Sequence, residues 1–197
     1  MKIHVFGLGA IGSNLLVQLA RQFPDFEFVG VDFDKVEDRN LATQQYFQEH
    51  VGLYKADAMR IVLQRYIRKP KYYPNKLKVT NTTPISSNFE DQLLVDCFDN
   101  TESRKLLRLF DSVTQSYDLN ILHIGFSPQF TAEAIWNKNY SVPNDVDTKA
   151  VDICTQQDAL SFIQFVVSLT TLTISEWIQT KEKKDFIVTG KHRVRWI

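Results

Sequence analysis

The chain has 197 residues, 44% of them hydrophobic, with 23 Lys plus Arg balancing 23 Asp plus Glu. That length and composition suit one sizeable core and exclude a disordered or low-complexity chain, so one domain over 1–197 is expected. A net charge of zero leaves no overall field to draw nucleic acid or an anionic membrane surface, and neither is expected as a partner.

In chain order, residues 2–6 read as a short buried strand, and Gly7 to Gly12 then turn the chain into an amphipathic helix carrying Ile11, Leu15, Leu16 and Leu19. The helix closes near Pro24, and residues 26–31 read as a second strand stopping at Asp32. Such a βαβ unit implies parallel strands with a right-handed crossover, and places the glycine turn and Asp32 at one carboxyl edge. A polar stretch runs to Gly52, and a helix is expected over 54–68, closed by Lys69-Pro70. Strands over 76–81 and 93–97, a helix over 102–117 and a strand over 120–126 continue the alternation. Residues 130–136 suit an antiparallel strand, 138–152 a mobile loop, 157–179 a strongly apolar helix and 185–197 an edge hairpin. The expected fold is α/β: a Rossmann-like doubly wound, mostly parallel sheet with helices on both faces. Residues 1–126 form its core and 127–197 an extension with antiparallel additions.

No apolar run approaches the roughly 20 residues that span a bilayer, and the N-terminus lacks a signal-peptide pattern, so a cytoplasmic location is expected. The two cysteines, Cys97 and Cys154, lack paired zinc-ligand spacing and read as reduced thiols. No zinc is predicted.

Gly7-Leu8-Gly9-Ala10-Ile11-Gly12 is a full G-x-G-x-x-G at a strand-to-helix junction. The first glycine permits the tight turn, the second lets a phosphate approach the backbone, and the third lets helix and strand pack closely. The backbone of this turn, Ala10 and Ile11 included, offers N–H groups and the positive end of a helix dipole. Asp32, twenty residues past Gly12, is placed to bond ribose hydroxyls. Close packing alone can also demand small residues, and the unit suits NAD as well as ATP.

Further residues narrow the choice. Val31-Asp32-Phe33-Asp34-Lys35-Val36, then Asn40-Leu41-Ala42-Thr43-Gln44, then Gly52-Leu53-Tyr54-Lys55-Ala56 follow in order, and Asp96-Cys97-Phe98-Asp99-Asn100 with Arg104 follows the apolar strand. Together these segments resemble the ThiF-like family of the ubiquitin-activating enzyme superfamily: D-x-D-x-V, N-L-x-R-Q, G-x-x-K-A and D-x-x-D-N-x-x-x-R. The resemblance covers residues 2–136 well and the last helix more loosely. It implies an ATP- and Mg²⁺-dependent adenylyltransferase that activates the C-terminal glycine carboxylate of a ubiquitin-like or sulfur-carrier protein, working as a homodimer. It assigns Asp32 and Asp34 to the nucleotide, Asn40 and Gln44 to the phosphate region, Lys55 to the phosphates, Asp99 to Mg²⁺, and Asn100 and Arg104 to the same pocket.

Read singly, Asn40 also suits a turn cap, Lys55 a solvated helix face, Arg104 a surface ion pair, and Asp99-Asn100 a helix cap. The family's arginine before the glutamine is replaced by Thr43, and Arg39 is a candidate substitute. Cys154, just before the apolar helix, is a candidate nucleophile, although Asp152 and Asp158 disfavour a thiolate there. His4 and His123 fall on expected strands and read as structural. A non-catalytic partner subunit and an NAD-dependent oxidoreductase stand as alternatives.

Overall fold

The computed structural model describes residues 1–80, 92–113, 119–127, 129–142, 158–190 and 192–197. Among the described residues eight strands form one sheet: β1 (Lys2–Phe6), β2 (Glu27–Val31), β3 (Tyr72–Asn75), β4 (Gln92–Asp96), β5 (Asn120–Phe126), β6 (Ala132–Trp136), β7 (Phe186–Thr189) and β8 (Arg193–Trp196), in the order β3-β2-β1-β4-β5-β6-β7-β8. The first five are parallel and the last three antiparallel. The same described residues include the α-helices α1 (Ala10–Gln22), α2 (Lys55–Gln64), α3 (Thr101–Val113) and α4 (Ala159–Thr180). The expected Rossmann-like doubly wound sheet with antiparallel additions is the fold found.

Alternation along the strands sorts two cores. Ile3 and Val5, Leu93 and Val95, and Leu122 and Ile124 join the larger one with α1, α2 and α4. Phe6, Leu94 and Ile121 join a smaller one with Leu107 of α3. Helices therefore cover both faces, which is why the parallel strands are apolar nearly throughout.

Two expectations need correction. The third strand is Tyr72–Asn75, not residues 76–81; residues 76–80 form no strand, and 81 lies outside the described residues. Leu77 and Val79 mimic strand alternation, but the position beside β2 goes to the stretch whose Tyr72 is buried and whose hydroxyl donates to the Ala56 carbonyl at 2.9 Å. Pro74 is tolerated because β3 is an edge strand. Secondly, α4 is long and apolar enough, by length and composition, to cross a membrane. In this fold it is a core helix that buries Phe162, Ile163, Val166, Val167, Ile174 and Trp177. The loop expected over 138–152 lies outside the described residues from 143 onward.

Candidate functional site

The strand order reverses between β1 and β4: the chain moves outward through β2 and β3, then returns past β1 to β4. In open α/β sheets a crevice opens at the carboxyl ends of strands at such a point. Register brings three segments level there. Phe6 pairs with Val31 on one side and Asp96 on the other, so Gly7, Asp32 and Cys97 all stand one residue past a strand end. Backbone bonds hold them: Gly7 N–H donates to Val31 O at 2.9 Å, and Cys97 N–H to Phe6 O at 2.8 Å.

The three glycines of the turn differ in what they are for. Gly7 has φ +84°, and a Cβ there would stand 2.9 Å from the Cys97 carbonyl oxygen; a Cβ on Gly12 would stand 1.9 Å from the Gly7 oxygen. Packing alone demands both. At Gly9 no described atom lies within 4 Å of where a Cβ would stand, so its small size serves no contact within the described chain. The space in front of it is where a phosphate would approach. Ser13 N–H donates to Gly9 O at 3.0 Å, opening the helix ladder, and the N–H groups of Ala10, Ile11 and Gly12 before it are those a helix N-terminus turns outward.

Asp32 is 7% exposed and already half engaged: Leu8 N–H donates to Oδ2 at 2.7 Å and Asp34 N–H to Oδ1 at 2.8 Å. Burial pushes its carboxyl above the usual aspartate range, against the charge of Lys55 and the two N–H bonds, which pull it down. Lys55 is not a solvated helix-face lysine. It is 8% exposed, with its backbone N–H on Asp34 O at 2.8 Å and Nζ 3.4 Å from Asp34 Oδ2. An ammonium in so dry a place needs anionic company, which Asp32 and Asp34 supply.

Asn40 does cap its turn: its Oδ1 accepts from Glu37 N–H at 2.9 Å. Arg39 pairs with Glu37 at 2.6 Å on the surface, its side chain 66% exposed. Thr43, where the family has arginine, is buried, and its carbonyl accepts from Asn14 Nδ2 at 2.8 Å. Gln44 presents a buried Oε1 with no hydrogen-bond partner among the described residues. Since amide O and N are interchangeable by a flip, that position is equally open to the side chain's N–H donor.

Sequence reasoning missed what holds this segment. Asn14 is 1% exposed and uses its whole amide: Nδ2 donates to Ala10 O and Thr43 O, and Oδ1 accepts from Gln45 Nε2 and Gln164 Nε2, both at 2.6 Å. Ser13 Oγ accepts from Gln45 N–H at 3.2 Å. Gln44 is thus clamped on both sides from the first turns of α1. Tyr46, buried, donates its hydroxyl to Leu8 O at 2.9 Å and braces the glycine turn from beneath. The available signal was two polar residues, Ser13 and Asn14, opening an otherwise apolar helix.

On the β4 side, Asp99 and Asn100 are exposed, and Asn100 Oδ1 accepts from Ser103 N–H at 2.8 Å, capping α3. Arg104 is not a surface ion-pair residue. It is 9% exposed and donates to Phe98 O, Tyr140 Oη and Ile124 O at 2.8 to 2.9 Å. Burial works against its charge, but the Asp96 carboxylate and the Tyr140 hydroxyl raise its pKa above the ordinary value. Cys97 is partly buried and packs against the larger core, its thiol pushed far up by desolvation and by Asp96. Cys154 lies outside the described residues.

A nucleotide fits these residues: an open glycine and a buried carboxylate stand past neighbouring strand ends, a buried lysine lies beside the carboxylate's turn, and the Gln44 amide oxygen lacks a partner among the described residues. Among the described residues no group of three His, Cys, Asp or Glu could hold a metal ion. Asp99 as a lone exposed carboxylate suits Mg²⁺ only with phosphate oxygens completing its shell, which is how Mg²⁺ is commonly held.

The family model of the ThiF family matches residues 1–187. Among solved structures, PaaA aligns with TM-score 0.66 at 16% identity, covering 100% of this chain and 63% of that one. MccB of E. coli with ATP aligns with TM-score 0.70 at 14% identity, covering 100% and 63%. MccB with AMPCPP and MccA aligns with TM-score 0.71 at 13% identity, again covering 100% and 63%. The chain therefore spans a little under two thirds of the length of these relatives. No curated protein sequence matches it.

Proposed function

The chain belongs to the ThiF family, and from that membership and the crevice at the sheet edge we propose that it is an ATP-dependent adenylyltransferase acting on the C-terminal carboxylate of a ubiquitin-like or sulfur-carrier protein. One arrangement carries the reading: the open Gly9 and buried Asp32 stand past neighbouring strand ends, Lys55 is buried beside the Asp32–Asp34 turn, and Gln44, with an unpartnered amide oxygen, is held between Thr43 and Gln45 against the first turns of α1. An NAD-binding unit would use Gly9 and Asp32 and leave Lys55 and Gln44 without a task. The solved structures of MccB with ATP and with MccA support a nucleotide and a peptide or small protein as the two substrates.

In this reading the turn N–H groups and Lys55 hold the phosphates, and Asp32 holds the ribose. The acceptor carboxylate attacks the α-phosphorus and pyrophosphate leaves. No general base is required, because the nucleophile is already ionised. The protein's part is positioning and charge: Lys55 and the Gln44 amide meet the negative charge that develops as pyrophosphate departs. Mg²⁺, when bound, would neutralise phosphate charge from Asp99.

One observation favours a second reading, a non-catalytic partner subunit. Thr43 is buried where a phosphate-binding arginine is usual, and Arg39 is engaged with Glu37 on the surface. Pyrophosphate exchange into ATP, dependent on a carrier protein ending in glycine, distinguishes the two. Exchange that vanishes in Asp99→Ala supports the adenylyltransferase. ATP binding without exchange for any such carrier supports the partner subunit, and a thermal shift with NAD but not ATP overturns both.

A further inference from the structure

Beneath the Asp99 loop four buried side chains and the Phe98 backbone close a ring, with Asn137 attached to it. Asp96, at the end of β4, pairs in register with His123 on β5, and alternation turns both toward the α3 face. His123 Nδ1–H donates to Asp96 Oδ2 at 2.8 Å. The other carboxylate oxygen, Oδ1, accepts from Phe98 N–H at 3.0 Å. Phe98 C=O accepts from Arg104 Nε at 2.8 Å, and Arg104 also donates to the Tyr140 hydroxyl at 2.9 Å. The Tyr140 ring lies flat on His123, 3.8 Å away and 8° from parallel, while the Asn137 amide meets His123 Nε2 at 3.2 Å. Asp96 and His123 are both 0% exposed, Tyr140 2%, Asn137 5% and Arg104 9%.

The ring has one product at the crevice. Both polar groups of Phe98, its N–H and its C=O, are fixed by charged side chains, and the next residue is Asp99. Asp99 is exposed, and among the described residues its side chain bonds only weakly, with Asn100 Nδ2 at 3.4 Å. Its position is therefore set from below. We infer that His123 is a positioning residue for Asp99: by holding Oδ2 of Asp96 it leaves Oδ1 for Phe98, and so fixes the backbone that carries Asp99 past the end of β4. Without the imidazole N–H, a fully buried carboxylate oxygen would lack its donor. The carboxylate would turn toward Arg104, with which it already interacts electrostatically, and release both ends of Phe98. The link to a cation rests on the adenylyltransferase reading; the link from His123 to the 97–100 backbone does not.

The experiment uses the full chain with His123→Phe, which keeps a ring on Tyr140 and removes the N–H, and His123→Gln, which restores an N–H donor. Amide hydrogen exchange without ligand is followed over 97–100 and over β1 and α1. His123→Phe is expected to speed exchange at 97–100 at least tenfold with β1 and α1 unchanged, and His123→Gln to recover most of it. Exchange unchanged at 97–100, or faster everywhere in proportion, overturns the inference, the second because the ring would then merely support the fold. Should His123→Phe not fold, Tyr140→Phe, which removes one of the Arg104 bonds and keeps both rings, is expected to give the same local increase, smaller in size; no increase overturns the inference. A second readout is the Mg²⁺ concentration that half-saturates the ATP-induced thermal shift. It should rise at least fivefold in His123→Phe while ATP binding in EDTA stays as in wild type. If wild type shows no response to ATP, the nucleotide reading fails, and the exchange result alone decides the role of His123.

Discussion

Gly9 and Gly12 lie three residues apart in one turn and should answer a methyl group in opposite ways. At Gly12 the new Cβ would meet the Gly7 carbonyl oxygen at 1.9 Å, a backbone atom that cannot swing aside. Gly12→Ala is expected to cost about 3 kcal/mol in urea unfolding, at the upper end for overpacking, and a loss below about 1 kcal/mol would contradict the geometry. Gly9→Ala should leave stability within about 1 kcal/mol, yet weaken ATP at least tenfold (about 1.4 kcal/mol), because the methyl occupies the phosphate's space. Calorimetric titration checks it, and equal ATP affinity would show that the open space is not the phosphate site. Lys55→Met keeps the aliphatic stem and removes the charge. It is expected to abolish the ATP-induced thermal shift while the protein remains folded, and a retained shift would remove Lys55 from the phosphate site. The glycine pattern and its acidic partner were legible because each is a local rule read along the chain. So was the division of labour among the three glycines; the atoms that crowd them were not, since Gly12 and Cys97 meet only after β4 is laid beside β1.

At the scale of elements, α1 and α4 are joined by a row of side-chain amides and hydroxyls as well as by apolar burial. Gln18 accepts from Thr171 Oγ1 at 2.9 Å and Gln22 donates to Ser175 Oγ at 3.1 Å, in line with Asn14 and Gln164 one and two turns earlier. Spacing of four residues along α1 sets this row on one face. Asn14→Ala would leave Thr43 O and two glutamine amides short of partners, and is expected to cost about 3 kcal/mol. Gln164→Ala should cost only about 1 kcal/mol, because Asn14 Oδ1 keeps Gln45, and the double variant should fall short of the sum by at least about 0.5 kcal/mol. Full additivity in urea unfolding would mean that the two amides act independently. The apolar content of α4 was plain in the sequence, and so was its helix. Its partner was not, because Gln164 and Asn14 lie 150 positions apart. The misplaced third strand has the same origin: Leu77 and Val79 satisfy the period of two as well as Tyr72 does, and only the docking of α2 against β2 decides which stretch is used.

For the whole molecule, acid sensitivity follows from two histidines held neutral. His50 is 1% exposed, and burial lowers its pKa against the opposing charge of Glu49; His4 is lowered by burial despite its bond to Gln92. A histidine lowered in the fold takes its proton preferentially in the unfolded chain, so this stability is complete above about pH 6.5 and is lost as pH falls toward the folded-state value. Asp32, raised by burial, acts in the opposite sense and returns stability as pH falls through its own range. The thermal midpoint is expected to drop between pH 7.5 and 5. The drop should be shallower in His50→Asn, whose amide oxygen can still accept the Phe47 N–H that His50 Nδ1 takes at 3.1 Å. Equal slopes would show that His50 is not protonated on unfolding. By itself the sequence determined the fold class, the glycine turn, the acidic partner at the end of β2 and the antiparallel close of the sheet, because periodicity, turn chemistry and chain order act over a few residues. Only the tertiary structure decided that Lys55 and Arg104 are buried rather than solvated, that Asn14 holds the Gln44 segment, and that His123 stands under the Asp99 loop. Each of those depends on strand register and helix docking that bring together groups dozens of residues apart, and burial, which makes their hydrogen bonds obligatory, exists only once the sheet and its helices have closed around them.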